Sequence, residues 1–583
     1  MYNNKFWKKN WDKGLEDLEP QEFNTTYMKL IKKTFKHNAN KTALIYLGIE
    51  VTFGQLDKYA NMFANMLVKN GFEKGDVVGI HLPNTPQYLI AMLGTLRAGC
   101  IVSGISPLLP LDQIKYQLSD LTATGKKAAI VTLDALFAKH ILSIASDLPL
   151  LKLIVTTGIA SFLPKMKQII GKLLKKIPTG KITPIPEKTI LDFSKDVLCK
   201  YSATPLNIKI NPDDTGWIQY TGGTTGPPKG VMLSHKNACH NIIGVVRWFG
   251  WDKEKSGIVL SGFPMFHIAG LMLCEVPMFL GWTQILIPNP RDTDHICKEM
   301  ARYHPTVLVN VPSLYQLLME NPKFKKLDFS NVTVCVSSAA PYPKNSQKEL
   351  VKIIGKEKFV ELLGMTETSP INVVNPAKGD KKSGSVGMPF LNTELKIIDT
   401  ITGEETDIGV PGELCFKGPL VMQGYFNKPE ETKNAIDKDG YMHSGDVGFM
   451  DEDGYITLID RTKDMIIVGG FKVFSSKVED MLSSHPAVNI IVLIGVPNPE
   501  RPGSEIVKAY IQLNPGYKNM EDEKKDAFRA DFTKFAGMYC APYEVPKIIE
   551  IVDEIPLTAV GKVDKKALRL DICHKKFVLP VAG

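Results

Sequence analysis

The chain has 583 residues, 44% of them hydrophobic and 23% charged, with a formal net charge of +8. That length exceeds what a single core supports, so two or more domains are expected, and the composition excludes a disordered, fibrous or disulfide-stapled chain. The mild positive charge suits anionic ligands or an anionic membrane surface but does not by itself argue for nucleic acid.

The opening segment, MYNNKFWKKNWDKG, is charged and has no apolar secretory core, and the nine cysteines lie far apart with no CxxC spacing. Both features point to reduced thiols and a cytoplasmic location. VTFGQLDKYANMFANMLVKNG, residues 51–71, predicts an amphipathic helix closed by Gly71. GDVVGIHL then predicts a buried strand and TPQYLIAMLGTLRAG a second helix. Short β-branched runs recur at AAIVTL, LKLIVTT, TQILIP, TVLVNV and VTVCVSS, with helical patterns between several of them. This alternation predicts α/β layers with largely parallel sheets.

Residues 164–181, PKMKQIIGKLLKKIPTGK, stand apart. Met166, Ile169, Ile170, Leu173, Leu174 and Ile177 fall on one helical stripe, with Lys165, Lys167, Lys172, Lys175 and Lys176 around it, and no acidic residue occurs between Asp147 and Glu187. A basic amphipathic helix of this kind suits peripheral contact with an anionic membrane; the alternative is a surface helix packed on its own domain. No run reaches the roughly 18 apolar residues of a spanning helix. The best candidate, AGLMLCEVPMFLGWTQILIP, is broken by Glu275 and Pro277.

Over 385–460 the texture changes to short strands and Gly-Asp turns, which predicts a small β-rich subdomain. A boundary follows at DRTKD, residues 460–464, giving an N-terminal domain over 1–461 and a smaller α+β C-terminal domain over 462–583.

YTGGTTGPPKG, residues 220–230, is too rich in glycine and proline for a helix or strand interior. Small hydroxyls, exposed amides and one lysine have the chemistry of a phosphate cradle. The stretch fits neither GxxxxGK[ST] nor GxGxxG, and alone it could be a simple turn. It is accompanied by ELLGMTET at 361–368, MHSGDVGFMDEDGY at 442–455, IDRTKDMIIVGGFKV at 459–473 and PLTAVGKVDKKAL at 556–568. With these motifs in order, the chain resembles the adenylate-forming acyl-CoA synthetase family from VTFGQLD near residue 51 to GKVDKKALR near 569.

The resemblance implies ATP, Mg²⁺ and coenzyme A, with roles for particular residues. Thr221, Gly222, Gly223, Thr224, Thr225, Gly226 and Lys229 would wrap the β- and γ-phosphates. Glu367 would hold Mg²⁺. Ser338, Ala339, Ala340 and Pro341, with Leu363, Gly364, Met365 and Thr366, would surround the adenine and phosphates. Asp446 would take the ribose hydroxyls and Arg461 the ribose and phosphate side; the plainer readings are a turn aspartate and an ordinary ion pair. Lys562 would bridge the substrate carboxylate and α-phosphate in the transition state, with Thr225, Glu367 and His267 also near the chemistry. Lys463 would be the hinge of a mobile C-terminal domain, and Gly469, Gly470 and Lys472 would admit the thiol arm. Two departures stand out: Leu363 replaces a common aromatic residue, and Ser338 a leading glycine.

IPNPRD at 287–292, KKLDFSNV at 325–332 and the basic insertion resemble the bacterial long-chain fatty-acid–CoA ligase branch. Small Ala269 and Gly270 after His267 are expected to leave space for a long chain. The implied partners are thus a fatty acid, ATP and CoA. A ligase for medium-chain, aromatic or alicyclic acids, an acyl-AMP ligase serving a carrier protein, and a non-catalytic nucleotide- or acyl-binding protein remain as alternatives.

Overall fold

The computed structural model describes residues 2–174, 177–221, 227–340, 342, 344–469, 471–502, 504–517, 521–557 and 563–574. The helix expected from residue 51 begins two residues later, at Phe53, because Ile49–Thr52 is a strand and Thr52 caps the helix. Thr52 Oγ1 accepts from Gln55 N while Gln55 Oε1 accepts from Thr52 N, a reciprocal cap. The chain leaves this helix through Gly71, whose φ of +76° favours glycine. Val77–His81 follows, buried at all five positions, as a parallel strand covered on both faces must be.

Two large sheets result. The nine-stranded sheet has the order Met388–Pro389, Ile371–Val374, Phe359–Gly364, Val334–Ser337, Val307–Asn310, Ile258–Ser261, Thr283–Leu286, Thr42–Tyr46 and Ile49–Thr52. Its central pairs are parallel and its edges antiparallel. The eight-stranded sheet centres on Val77–His81, flanked by Ile101–Gly104 and Ala128–Leu133, and ends at Gly424–Tyr425. Helices such as Pro86–Arg97 and His235–Trp248, both deeply buried, fill the space against these sheets.

Within 385–460, four antiparallel strands form a separate sheet: Glu394–Ile398, Gly412–Lys417, Met442–Met450 and Ile456–Arg461. Two short strands of the same stretch leave it, because Met388–Pro389 joins the nine-stranded sheet and Gly424–Tyr425 the eight-stranded one. They tie the small sheet to both large layers. The charged N-terminus is also anchored: Trp7 is fully buried and Asp12 accepts from the backbone N–H groups of Ala377, Lys378 and Gly379.

Beyond Arg461 come the hairpin Ile466–Val468/Phe471–Val473 and a three-stranded sheet, Val488–Pro497, Glu505–Leu513 and Ile548–Val552. The large N-terminal and smaller C-terminal domains therefore both mix helices and sheets. Among the described residues, no cluster of buried apolar side chains has members on both sides of this junction; each lies wholly at or before Leu458 or wholly at or after Ile466. No helix among the described residues is long and apolar enough to cross a membrane.

Candidate active site

Parallel strands open their ligand crevice at their C-terminal ends. Here Val334–Ser337 runs into Ser338 and Ala339, and Phe359–Gly364 into Met365, Thr366 and Glu367. Ser338, Ala339, Met365, Thr366 and Glu367 line one cavity of about 300 Å³, between the nine-stranded sheet and the helices His235–Trp248 and Ile268–Leu280; Ala340 is not among its lining residues.

The polar mouth is organised around a residue that the sequence did not single out. Glu367 Oε1 accepts a 2.8 Å hydrogen bond from Tyr425 OH. Lys229 Nζ sits 4.3 Å from the centroid of the same ring. Tyr425 reaches them because Gly424–Tyr425 pairs with Gly230–Ser234, placing Tyr425 opposite Val231. Burial, then the Glu367 charge, pushes the phenol well above its usual range, so Tyr425 stays a neutral donor. Thr221 also lines the cavity, and its N–H donates to Lys229 O at 3.0 Å, closing the base of the glycine-rich loop. The loop itself, Gly222, Gly223, Thr224, Thr225 and Gly226, lies outside the described residues, as does Pro341.

Asp446 and Arg461 face each other across the strands Met442–Met450 and Ile456–Arg461, with Arg461 Nε 3.0 Å from Asp446 Oδ1. Asp446, chiefly, raises the Arg461 pKa, and Glu367 adds to it from farther away. The turn carrying Asp446 is held by Glu413. Its Oε1 accepts from Gly445 N at 2.9 Å and its Oε2 lies 3.1 Å from His443 Nδ1. Ser444 Oγ donates to Leu414 O and accepts from Asp446 N. The Glu413 bond raises the His443 pKa, with Asp437 contributing from 3.8 Å. Glu413, Cys415 and His443 place ligand-type atoms within 4.8 Å of one another. Both Glu413 oxygens are already engaged and burial holds the Cys415 thiol protonated, so the group is a hydrogen-bonded brace for Asp446.

Lys463 lines the same mouth, its pKa pushed down by burial and then by Arg461. For a hard divalent cation, Glu367 supplies a suitable carboxylate oxygen: among the described residues only Oε1 is engaged, and the Thr366 side lines the cavity beside it.

His267 stands where the polar mouth meets the apolar channel and caps the helix Ile268–Leu280, its Nδ1 accepting from Ala269 N at 3.3 Å. Ala269 lines the cavity, as expected for a position that leaves space. Gly270 does not, and this corrects the sequence reading. A Cβ there would lie 2.1 Å from Pro264 O, so glycine serves close backbone packing rather than room for a substrate.

Beyond His267 the walls are apolar. Val336 and Val309, paired side by side, and Val307 two residues deeper line the sheet side, with Val245 and Phe249 on and just after one helix and Met272 and Val276 on the other. Asn310 pairs with Ser337, so the level of Ser338 lies four residues from Val307. At about 3.3 Å per residue the channel runs roughly 13 Å into the domain. Its far wall is Trp251, stacked on Phe249 at 4.8 Å and 5.3 Å from Trp282. Strand alternation turns Leu362 and Gly364 to the cavity, while Leu363 is not among its lining residues.

On the C-terminal side, Gly469 adopts φ +58° at the hairpin tip, where an added Cβ would meet only Arg501 at 3.9 Å. Gly470 and Lys562 lie outside the described residues. Lys472 Nζ pairs with Asp399 Oδ2 of the small sheet at 3.2 Å. Asp460 accepts from Ser475 Oγ, Ser476 Oγ and Ser476 N at the start of the helix Ser475–Leu482. Arg569 pairs with Asp464 and donates to Lys463 O.

The chain matches the family model for AMP-binding enzymes over residues 31–426 and that for the AMP-binding enzyme C-terminal domain over 477–562. It is 36% identical over 558 residues to the long-chain-fatty-acid–CoA ligase of Bacillus subtilis, covering 94% of each chain. It is 32% identical over 574 residues to the enzyme of the same name from Escherichia coli O6:H1, covering 96% of this chain and 98% of that one. Among solved structures it resembles the anthranilate CoA ligase AuaEII in complex with anthranoyl-AMP, with a TM-score of 0.80 and 26% identity over 95% of this chain and 99% of that one. Matched in order by both models and aligned with these relatives nearly end to end, the chain belongs to the AMP-binding enzyme family.

Proposed function

We propose that this enzyme activates a long-chain fatty acid with ATP and passes the acyl group to CoA. The observation that carries the reading is the single cavity that joins a charged mouth to an apolar channel about 13 Å deep. The names of the relatives from Bacillus subtilis and Escherichia coli support the same substrate class.

In the first step a carboxylate oxygen attacks the α-phosphorus, the bond to the bridging oxygen breaks, and pyrophosphate leaves. Thr221, the hydroxyls and amides of the 222–226 loop, and Lys229 hold the departing phosphates, with Tyr425 fixing Lys229 and Glu367 relative to each other. Mg²⁺ would be held by Glu367 and would offset the charge of the phosphates. Asp446 and Arg461 orient the ribose, and Ser338, Ala339, Gly364, Met365 and Thr366 line the nucleotide side. Lys562 bridges carboxylate and α-phosphate, lowering the repulsion between two anions. His267 marks the carboxylate level, below which the alkyl chain enters the channel.

In the second step the C-terminal domain turns about Lys463 and brings Gly469, Gly470 and Lys472 to the mouth. The CoA thiolate attacks the acyl carbonyl carbon, the bond to the phosphate oxygen breaks, and AMP leaves. Pyrophosphate release with acids of increasing length, each with and without CoA, tests the whole reading. CoA-dependent turnover peaking at long chains is the expected result; a peak at aromatic or short acids, or nucleotide binding without turnover, overturns it.

A further inference from the structure

An ordinary surface helix buries its apolar stripe and shows its polar residues to water. The basic helix Lys165–Leu173 does the reverse. Met166 is 74% exposed, Ile169 59%, Ile170 49% and Leu173 77%, and the next residue, Leu174, is 59% exposed. The side chain that faces the protein is a polar one: Gln168 Nε2 donates to Leu163 O at 2.7 Å and to Ser161 O at 3.4 Å. The loop it grips is anchored in turn by Phe162, packed edge-on against Tyr59. Elsewhere among the described residues, exposed large apolar side chains occur singly or in pairs. Four on one helix, with Leu174 just beyond it, form a patch that wants a partner.

The charge around the patch selects that partner. Lys165 and Lys167 form no ion pair among the described residues, and the sequence from 148 to 186 contains no acidic residue. Two copies of this surface would bring lysines against lysines, so a second copy is disfavoured, and the helix, at nine residues, is too short to span a bilayer. An apolar stripe flanked by unopposed lysines matches the boundary between acyl chains and anionic headgroups.

We propose that the Lys165–Leu173 helix lies flat in the surface of an anionic lipid bilayer. Met166, Ile169, Ile170, Leu173 and Leu174 dip among the acyl chains, and Lys165 and Lys167 lie at headgroup phosphates. Gln168 and the 161–163 loop transmit the attachment to the domain that holds the acyl channel. The surface is independent of the reaction chemistry and stands even if the preferred acid proves different.

The test uses the full chain and sucrose-loaded vesicles, either of phosphatidylcholine alone or of phosphatidylcholine mixed with phosphatidylglycerol. Sedimentation with the mixed vesicles, weak sedimentation with the neutral ones and loss of binding at high salt are expected. Met166→Gln/Leu173→Gln and Lys165→Gln/Lys167→Gln each lower partitioning by about tenfold or more. These side chains are exposed, so melting temperature and pyrophosphate release with a freely soluble acid stay at the parent values. Equal sedimentation of parent and variants overturns the proposal, as does absence of binding to the mixed vesicles. Self-association that the Met166→Gln/Leu173→Gln chain loses, without vesicle binding by the parent, also overturns it and assigns the patch to a second copy.

Discussion

Val309 is the position from which the channel is best tested. It is nearly fully buried, faces the cavity and pairs with Val336, halfway between the level of Ser338 and Val307. Val309→Phe places a ring across the channel and cuts off the two strand residues beyond it, a depth of roughly 6.6 Å. Roughly five methylene groups occupy that depth, and at about 0.8 kcal/mol each their burial is worth about 4 kcal/mol. With about 1.36 kcal/mol per decade, kcat/KM for a long-chain acid falls by up to roughly a thousandfold. A short acid that never passes Val309 keeps its kcat/KM within about twofold. The assay is CoA-dependent pyrophosphate release for both acids on parent and variant, with the melting temperature monitored against overpacking. Equal losses for the two acids, or an undiminished rate with the long one, refute the channel.

Lys562→Ala removes adenylation by far more than it weakens ATP binding; an equal loss in both, read from pyrophosphate exchange and nucleotide titration, contradicts the bridging role. Lys463→Pro impairs the adenylation and thiol-transfer half-reactions unequally, and parent rates for both in single-turnover assays refute the hinge. Glu413→Gln loosens the Asp446 turn by weakening the bonds to Gly445 and His443, so KM for ATP rises about tenfold with a smaller change in kcat. Glu361 is held by burial at a pKa of about 7, against an ordinary 4.5, so the folded chain binds a proton that the unfolded chain has released. Stability is therefore full below pH 4.5 and falls as pH rises toward 7, by about 3 kcal/mol at most. Glu361→Gln flattens that slope in denaturant titrations at several pH values.

Much of the architecture was legible because its signals are local. Buried parallel strands such as Val77–His81 read as unbroken apolar runs, and Gly71 and Pro86 punctuate the helices beside them. Lys229, Glu367, Arg461 and Lys463, all picked out by their motifs, line one mouth. What escaped the sequence depends on pairing between distant segments. Tyr425 matters only because its strand lies beside Gly230–Ser234 and meets Glu367, and Glu413 because its strand carries it under the turn before Asp446. Gly270 misled because a missing side chain says that something is close without saying whether it is substrate or backbone. The stripe at 166–174 was readable as a stripe, but periodicity cannot tell which way a helix faces.

The division of the apolar core at the domain junction has a thermodynamic consequence. The turn proposed about Lys463 breaks the Asp460 bonds to Ser475 and Ser476 and the Lys472–Asp399 pair, which water can replace, and opens no apolar cluster among the described residues. Heat-capacity change tracks apolar hydration, so the proposed exchange between poses would carry almost none, and its balance would shift little with curvature in temperature. Ionic strength acts on it instead, through the partly exposed Lys472–Asp399 pair. A swivel built this way would run at nearly the same bias in cold and warm cells and answer to salt.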